Sequence, residues 1–504
     1  MSYLMKQFFS PIWNALVNHA GQKPVGFHVP GHGYGEIWSN PLLDEGPEQL
    51  AAAWYETIMK LDVTELSSTD DLHHPEASIK EAQELAAKTF GAEETFFLVG
   101  GSTSGNLALI LALCRPGDLI LVQRNVHKSI INGLRLAGAT AVFMTPSIDP
   151  LNGLATVPDI KLVEKALAQH PEAVAVLLSN PNYYGMSVHL QPYAELAHRY
   201  GKPLAVDEAH GAHYGLHPAL PPSALAAGAD IVVQSAHKTL PTLTMGAMLH
   251  VQGGLIDRSY LKECLAMIQS SSPSFPILSS IDISRAMLDR WGSALFEQSL
   301  AAAAGFRKWL DSNDNSIAEM PVSITYGDIY RDPLRLVIFD RSGKLTGMEL
   351  QRSLERQNCY VEMADERYVV LVLGIHSSQK DIDKLQAAIQ IIAQSLSKQA
   401  ESIVQIVTEK WSGAYEAISA PVLFARERFN HLDIERIPLQ EAAGRRSAEM
   451  ITPYPPGIPL LYSGEWITEE TVSQLSRLTE AGAKFQGSSS KFLEQIAVFC
   501  KDHN

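Results

Sequence analysis

Between residues 80 and 250 the apolar and polar positions change period again and again. Residues 82–90 carry apolar side chains at helical spacing and stop at Gly91. Residues 95–99 form a short apolar run, 107–114 a helical one, and Arg115-Pro116-Gly117-Asp118 turns the chain. Residues 119–123, 141–144, 173–178, 204–206, 231–234 and 246–251 read as strands. Residues 127–137, 160–168 and 193–200 between them read as helices. Strands that are apolar on both faces and alternate with helices predict an α/β fold, a mostly parallel sheet flanked by helices. Functional groups in such a sheet collect in loops at the carboxyl ends of strands. The loops at 100–104, 180–184, 207–210 and 235–238 occupy those places.

After a helical stretch at 281–304 the texture shifts. Residues 334–338 and 369–373 look like strands, and 347–357 and 379–397 like helices, so 300–400 reads as a smaller α+β domain. A helical stretch at 400–418 leads into a C-terminal α+β segment. It holds Pro453-Tyr454-Pro455-Pro456-Gly457-Ile458-Pro459, too proline-rich for helix, and a glycine-serine loop at 487–490. The expected organisation is an arm at 1–75, a large domain at 76–299, a small domain at 300–400 and a C-terminal domain at 401–504. A chain of 504 residues exceeds what one core organises.

Composition narrows the function classes. The chain is 46% hydrophobic and 19% charged, with a formal charge of −15. That balance disfavours nucleic acid or an anionic membrane as partner and favours a small cationic ligand. Four scattered cysteines with no CxxC pair fit a reducing compartment and argue against zinc. His28 and His32 are four apart, but Pro30-Gly31 between them prevents a helix that would align them, so no metal is expected. The N-terminal 17 residues are interrupted by Lys6, Gln7, Pro11 and Asn14, unlike a signal peptide. No apolar run approaches the ~20 residues of a membrane span. The expected location is the cytoplasm.

Lys238 follows Ser235-Ala236-His237 at the end of the apolar run 231–233, and Asp207 ends the run 203–206. A lysine and a carboxylate at neighbouring strand ends suit pyridoxal phosphate (PLP), which needs an amine for a Schiff base and an anion to keep its ring nitrogen protonated. A structural lysine–carboxylate pair is the plainer alternative. Gly100-Gly101-Ser102-Thr103-Ser104 follows a strand and opens a helix. Its glycines admit an anion, and its hydroxyls and the helix N-terminus supply donors. It is a candidate phosphate cup, completed by Ser235 and His237, or else an ordinary helix cap. His127 is a candidate for stacking on the cofactor ring or a capping histidine. His210, three residues past Asp207, is a candidate partner of the cofactor's phenolic oxygen.

These motifs occur together with His28-Val29-Pro30-Gly31-His32, Asp70-Asp71-Leu72-His73, Arg124-Asn125-Val126-His127-Lys128-Ser129, Asp207-Glu208-Ala209-His210-Gly211, Ser272-Pro273-Ser274-Phe275-Pro276 and Tyr454-Pro455-Pro456-Gly457-Ile458-Pro459. The set resembles the Orn/Lys/Arg decarboxylase family, PLP enzymes of the aspartate-aminotransferase fold, in its short form. The resemblance implies that Lys238 is the Schiff-base lysine and Asp207 the pyridinium partner, and that His127 stacks on the ring. It implies that Ser102, Thr103, Ser104, Ser235 and His237 hold the phosphate, and that Ser272 comes from the neighbouring subunit of a homodimer with shared active sites. Many members carry Gln after the lysine in a Leu-Thr-Gln stretch; here the residues are Leu243-Thr244-Met245-Gly246.

The implied reaction is decarboxylation of a basic L-amino acid. Arginine to agmatine, within polyamine biosynthesis, is the first expectation; lysine and ornithine follow. Asp70, Asp71 and Glu362 are the candidate acids for the substrate's distal cation. The rivals are an aminotransferase or lyase on the same fold, with Arg367 as carboxylate clamp, and a silent homologue. A silent copy has no need of both Lys238 and Asp207.

Overall fold

The computed structural model describes residues 8–40, 43, 48–313, 316–323, 329–397, 417–424, 434–454, 459–480, 484–486 and 493–500. The helical stretch expected at 400–418 lies almost wholly outside them, as do the centre of the proline-rich motif and the 487–490 loop. Elements follow in chain order. They begin with α1 (Pro11–Gly21), α2 (Glu48–Met59), α3 (Ser78–Phe90), β1 (Glu94–Leu98) and α4 (Gly101–Leu113). Next come β2 (Leu119–Gln123), α5 (Lys128–Ala137), β3 (Thr140–Met144), α6 (Ile160–Gln169), β4 (Val176–Ser179), β5 (Met186–Val188) and α7 (Gln191–Arg199). The large-domain pattern closes with β6 (Leu204–Asp207), β7 (Ile231–Gln234), α8 (Ala236–Thr239), β8 (Ala247–Val251), α9 (Arg258–Ile268) and α10 (Phe275–Trp291). The alternation read from the sequence is thus present. The chain divides into two compact units, one of Met1–Leu113 with Ala205–Phe296, the other of Cys114–Leu204 with Glu297–Asn504.

In the first unit β6 and β7 are parallel, whereas β8 runs antiparallel to both β7 and β1. All four residues of β6 and of β7 and all five of β8 are buried, as strands covered on both faces must be. The edge strand β1 is closed by side chains. Gln83 and Gln269 accept from the N–H groups of Phe97 and Val99, both at 2.9 Å. The amino-terminal helix α1 is pinned to α10: the Ser10 hydroxyl and the Ile12 N–H donate to Asp282 at 2.6 and 3.0 Å. The helix expected at 281–304 is two helices, because Gly292 leaves α10 with φ +55°.

In the second unit β2 pairs in parallel with β3 and β4, and β14 (Val422–Leu423) adds antiparallel to β3. After α11 (Ala294–Ser312) come β9 (Ile317–Glu319), β10 (Ile329–Arg331), β11 (Arg335–Asp340), α12 (Gly347–Glu355), β12 (Met363–Ala364), β13 (Val369–Val372) and α13 (Gln379–Ser397). Four of those strands make an antiparallel sheet in the order β12-β13-β11-β9, and β10 pairs with β5 instead. The C-terminal part holds β15 (Ile434–Pro438), β16 (Thr452–Tyr454), α14 (Glu469–Glu480), β17 (Lys484–Gln486) and β18 (Gln495–Phe499), around a core of Leu439, Ile451, Leu461, Leu475 and Ile496.

Helix α4 lies tightly on its sheet at Gly105. A Cβ there would stand 2.7 Å from Leu98 and 2.9 Å from Val233, closer than packed atoms come. Gly105→Ala is therefore expected to destabilise the protein by about 1–3 kcal/mol through overpacking, read as a lower denaturation midpoint. A midpoint at or above that of the parent would show that α4 can shift freely.

Candidate active site

Parallel pairing sets Asp207 opposite Val233, so β6 and β7 end nearly level. The residues that follow each strand emerge side by side. Asp207 is buried. Its Oδ2 accepts from Asn106 Nδ2 at 3.0 Å and its Oδ1 from the Ala209 N–H at 3.1 Å. Lys238 sits in α8, immediately after β7, and its Nζ lies 2.9 Å from His210 Nε2. With the lysine cationic, Nε2 is the acceptor and the ring proton resides on Nδ1. The amine of one loop thus meets the loop that begins with the buried carboxylate.

Above them the glycine turn opens α4. Gly101 has φ +71° and donates its N–H to the Met245 carbonyl at 2.8 Å. The Ser235 hydroxyl donates to Ser102 Oγ at 2.6 Å, bringing the two loops' hydroxyls together. Thr103 is exposed, and the Ser104 hydroxyl donates to the Gly101 carbonyl at 2.8 Å. His237 Nδ1 lies 3.2 Å from the Gly246 carbonyl. Met245 is exposed and holds φ +75°, uncommon for a non-glycine residue. Two hydroxyls at a helix start, with lysine and a buried aspartate on adjoining loops, form a donor set that fits PLP.

The remaining predicted residues have other partners. The Asp70 carboxylate accepts main-chain N–H groups of Asp71, Glu76, Ala77 and Ile79 at 2.9–3.0 Å and so caps the start of α3. Burial opposes its charge, but these hydrogen bonds outweigh it and hold its pKa below the usual value. Asp71 accepts from the His73 N–H at 2.7 Å. His73 Nε2 reaches the Ser270 carbonyl at 2.9 Å, close in sequence to the exposed Ser272. In the second unit His127 caps α5, its Nδ1 accepting from the Ser129 N–H at 3.2 Å. Glu362 is exposed, and the Arg367 guanidinium lies 5.1 Å from the Phe339 and Tyr368 ring centroids. His28 and His32 face different partners, Tyr34 at 2.6 Å and Asp62 at 3.3 Å. Among the described residues no three His, Cys, Asp or Glu side chains gather as metal ligands, and no helix is long and apolar enough to cross a membrane.

Sequence reading missed two features. Asn106 lies four residues after Ser102 in the helix that the glycine turn opens, but nothing in its type points to Asp207. The second is a buried chain behind the site. Glu208 accepts from Gln234 Nε2 at 2.7 Å and from the Ala224 N–H at 2.8 Å. Gln234 Oε1 is 3.1 Å from His250 Nε2, and His250 Nδ1 is 2.8 Å from the Thr95 hydroxyl. Burial, reinforced by the Asp207 charge, pushes Glu208 up to about 8, while burial pushes His250 down to about 3. A neutral acid therefore stands directly beside Asp207.

A family model described as the Orn/Lys/Arg decarboxylase major domain matches residues 10–326, and one for the C-terminal domain of the same family matches residues 407–492. Uncharacterized protein YaaO of Bacillus subtilis is 40% identical over 98% of this chain and 99% of its own length. An arginine decarboxylase of the same organism is 35% identical over 98% of both chains. The structure of the E. coli constitutive lysine decarboxylase superposes with a TM-score of 0.80 at 20% identity, over 98% of this chain and 82% of that one.

The Glu208 environment has a pH consequence. Its folded pKa of about 8 exceeds the ordinary 4.5, so the native state holds a proton that the unfolded chain releases. Its contribution to stability is complete below about 4.5 and is lost as pH rises to about 8. Glu208→Gln, which mimics the neutral acid, should gain melting temperature relative to the parent as pH rises through that window. A difference that stays constant from pH 5 to 8 would show Glu208 to be ionised throughout.

Proposed function

The chain belongs to the Orn/Lys/Arg decarboxylase family of amino-acid decarboxylases, and from that premise we propose that it decarboxylates a basic L-amino acid, arginine first, with PLP bound at Lys238. The observation that carries this reading is the 2.9 Å approach of Lys238 Nζ to His210, in the loop that Asp207 opens. Bound there, PLP supplies an electron sink for the electrons released as the carboxylate departs.

The residues divide the work. Lys238 links the cofactor, and Lys238 or a nearby histidine returns a proton to Cα. Asp207, oriented by Asn106, keeps the ring nitrogen protonated. A carboxylate about 4 Å from that nitrogen, at an effective dielectric of about 20, is worth ~4 kcal/mol, or about three pKa units. His210 binds the phenolic oxygen, and His127 stacks on the ring. Ser102, Thr103, Ser104, Ser235 and His237 bind the phosphate. Asp70, Asp71 and Glu362 are the proposed acids for the distal cation. Arginine as substrate draws support from the named activity of the 35% identical relative; the 40% identical one carries no activity in its name.

We further propose a homodimer in which Ser272 completes the neighbouring subunit's site. Support comes from apolar side chains left in water by the single chain. Val25, Phe27 and Trp54 are 80%, 97% and 71% exposed, side chains that a second subunit would cover. The four cysteines form no disulfide, which supports a cytoplasmic location.

The test is product formation from arginine, lysine and ornithine in parallel. Agmatine and CO2 from arginine are expected to dominate, with a loss of at least about 10³-fold in Lys238→Ala. Turnover that survives in Lys238→Ala would refute the assignment, and cadaverine or putrescine as the main product would move the substrate to lysine or ornithine.

A further inference from the structure

We propose that the C-terminal module takes part in the reaction by setting the turn that carries His127, through a buried clamp between Arg124 and Glu465. This rests on the stacking role proposed above for His127; both clamp residues are positioning residues.

Arg124 directly follows β2 and is still tied to β3, its N–H donating to the Met144 carbonyl at 2.9 Å. His127 comes three residues later, as the N-cap of α5. The Arg124 guanidinium reaches into the C-terminal module. It donates to Glu465 Oε1 from both Nη atoms at 3.0 Å and to Oε2 at 2.8 Å. It also reaches the carbonyls of Pro459 and Leu460 at 3.1 and 2.8 Å. The main chain of the same residue is gripped too, since the Tyr462 hydroxyl donates to the Arg124 carbonyl. Glu465 is held in turn by the Tyr462 N–H at 2.6 Å. Tyr462 stacks on Phe143 at 4.3 Å, and the guanidinium lies 5.5 Å from both ring centroids.

Arg124 and Glu465 are only 5% and 8% exposed. Burying a charge pair costs desolvation, and apolar side chains would join two modules at least as firmly. What a forked guanidinium adds is orientation, because its planar donors fit a carboxylate in one geometry. The β2 side of the turn is fixed at a second residue: Gln123 Nε2 donates to Asn125 at 2.8 Å, and Gln123 Oε1 accepts from the Ser179 N–H at 3.1 Å. A turn anchored at two successive residues where it leaves the strand limits where the ring at its end can lie. A misplacement of about 1 Å in such a group costs on the order of 100-fold in rate.

The test uses the full-length holoenzyme and three variants, Glu465→Gln, Tyr462→Phe and His127→Ala, with kinetics on the preferred basic amino acid and visible circular dichroism of the bound cofactor. Glu465→Gln is expected to keep the cofactor's absorbance, change its dichroism, and lose on the order of 10- to 100-fold in kcat/KM. Combined with His127→Ala it should lose no more than His127→Ala alone, because both act through one ring. Tyr462→Phe keeps the stacked ring and removes one hydrogen bond. It should move both readouts the same way by less, and it decides the matter if Glu465→Gln does not fold. The proposal is overturned if the folded variants stay within about twofold of the parent with unchanged dichroism, or if their losses multiply with that of His127→Ala. If His127→Ala alone is silent in both readouts, the stacking role fails and the clamp's action through it fails too. A silent Glu465→Gln beside an impaired His127→Ala removes the clamp only.

Discussion

The proposed site depends on one carboxylate held in a buried place. Asp207 ends β6, and its carboxylate is satisfied by an amide from α4 and a main-chain N–H from its own loop. Burial favours the protonated form of a carboxylate. The neighbour of Asp207 in sequence does take up a proton, since Glu208 is raised to about 8 with only neutral donors around it. Each of these successive acids thus accepts one side-chain amide and one main-chain N–H, and burial raises Glu208.

Helix α4 links this carboxylate to the proposed anion cup. Its first turn carries the glycines and Ser102, and its second carries Asn106. Gly105 between them allows the helix to lie close against Leu98 and Val233. One helix therefore carries both the Ser102 hydroxyl proposed to bind phosphate and the amide that meets the Asp207 carboxylate. Arg124 and Glu465 do for the His127 turn what Asn106 does for Asp207, orienting a group from outside its own loop.

Much of this was legible in the sequence, and the exceptions have physical reasons. The strand–helix alternation and the lysine and aspartate at strand ends are local patterns, and the fold follows them. The directions of β1 and β8 are not local, because a short apolar run reads the same in a parallel or an antiparallel pair. Asp70 showed its type but not its partners, and its oxygens turn out to cap α3. Glu465 had no local mark at all, since its partner lies 341 residues away. Hydrogen bonds across such separations are set by tertiary packing, which periodicity does not encode.

The most direct test of the central claim is to load the protein with PLP, reduce it with borohydride and map the labelled peptide by mass spectrometry. The account predicts one phosphopyridoxyl group per chain, on Lys238. A label on another lysine, or none on a folded protein, would contradict it.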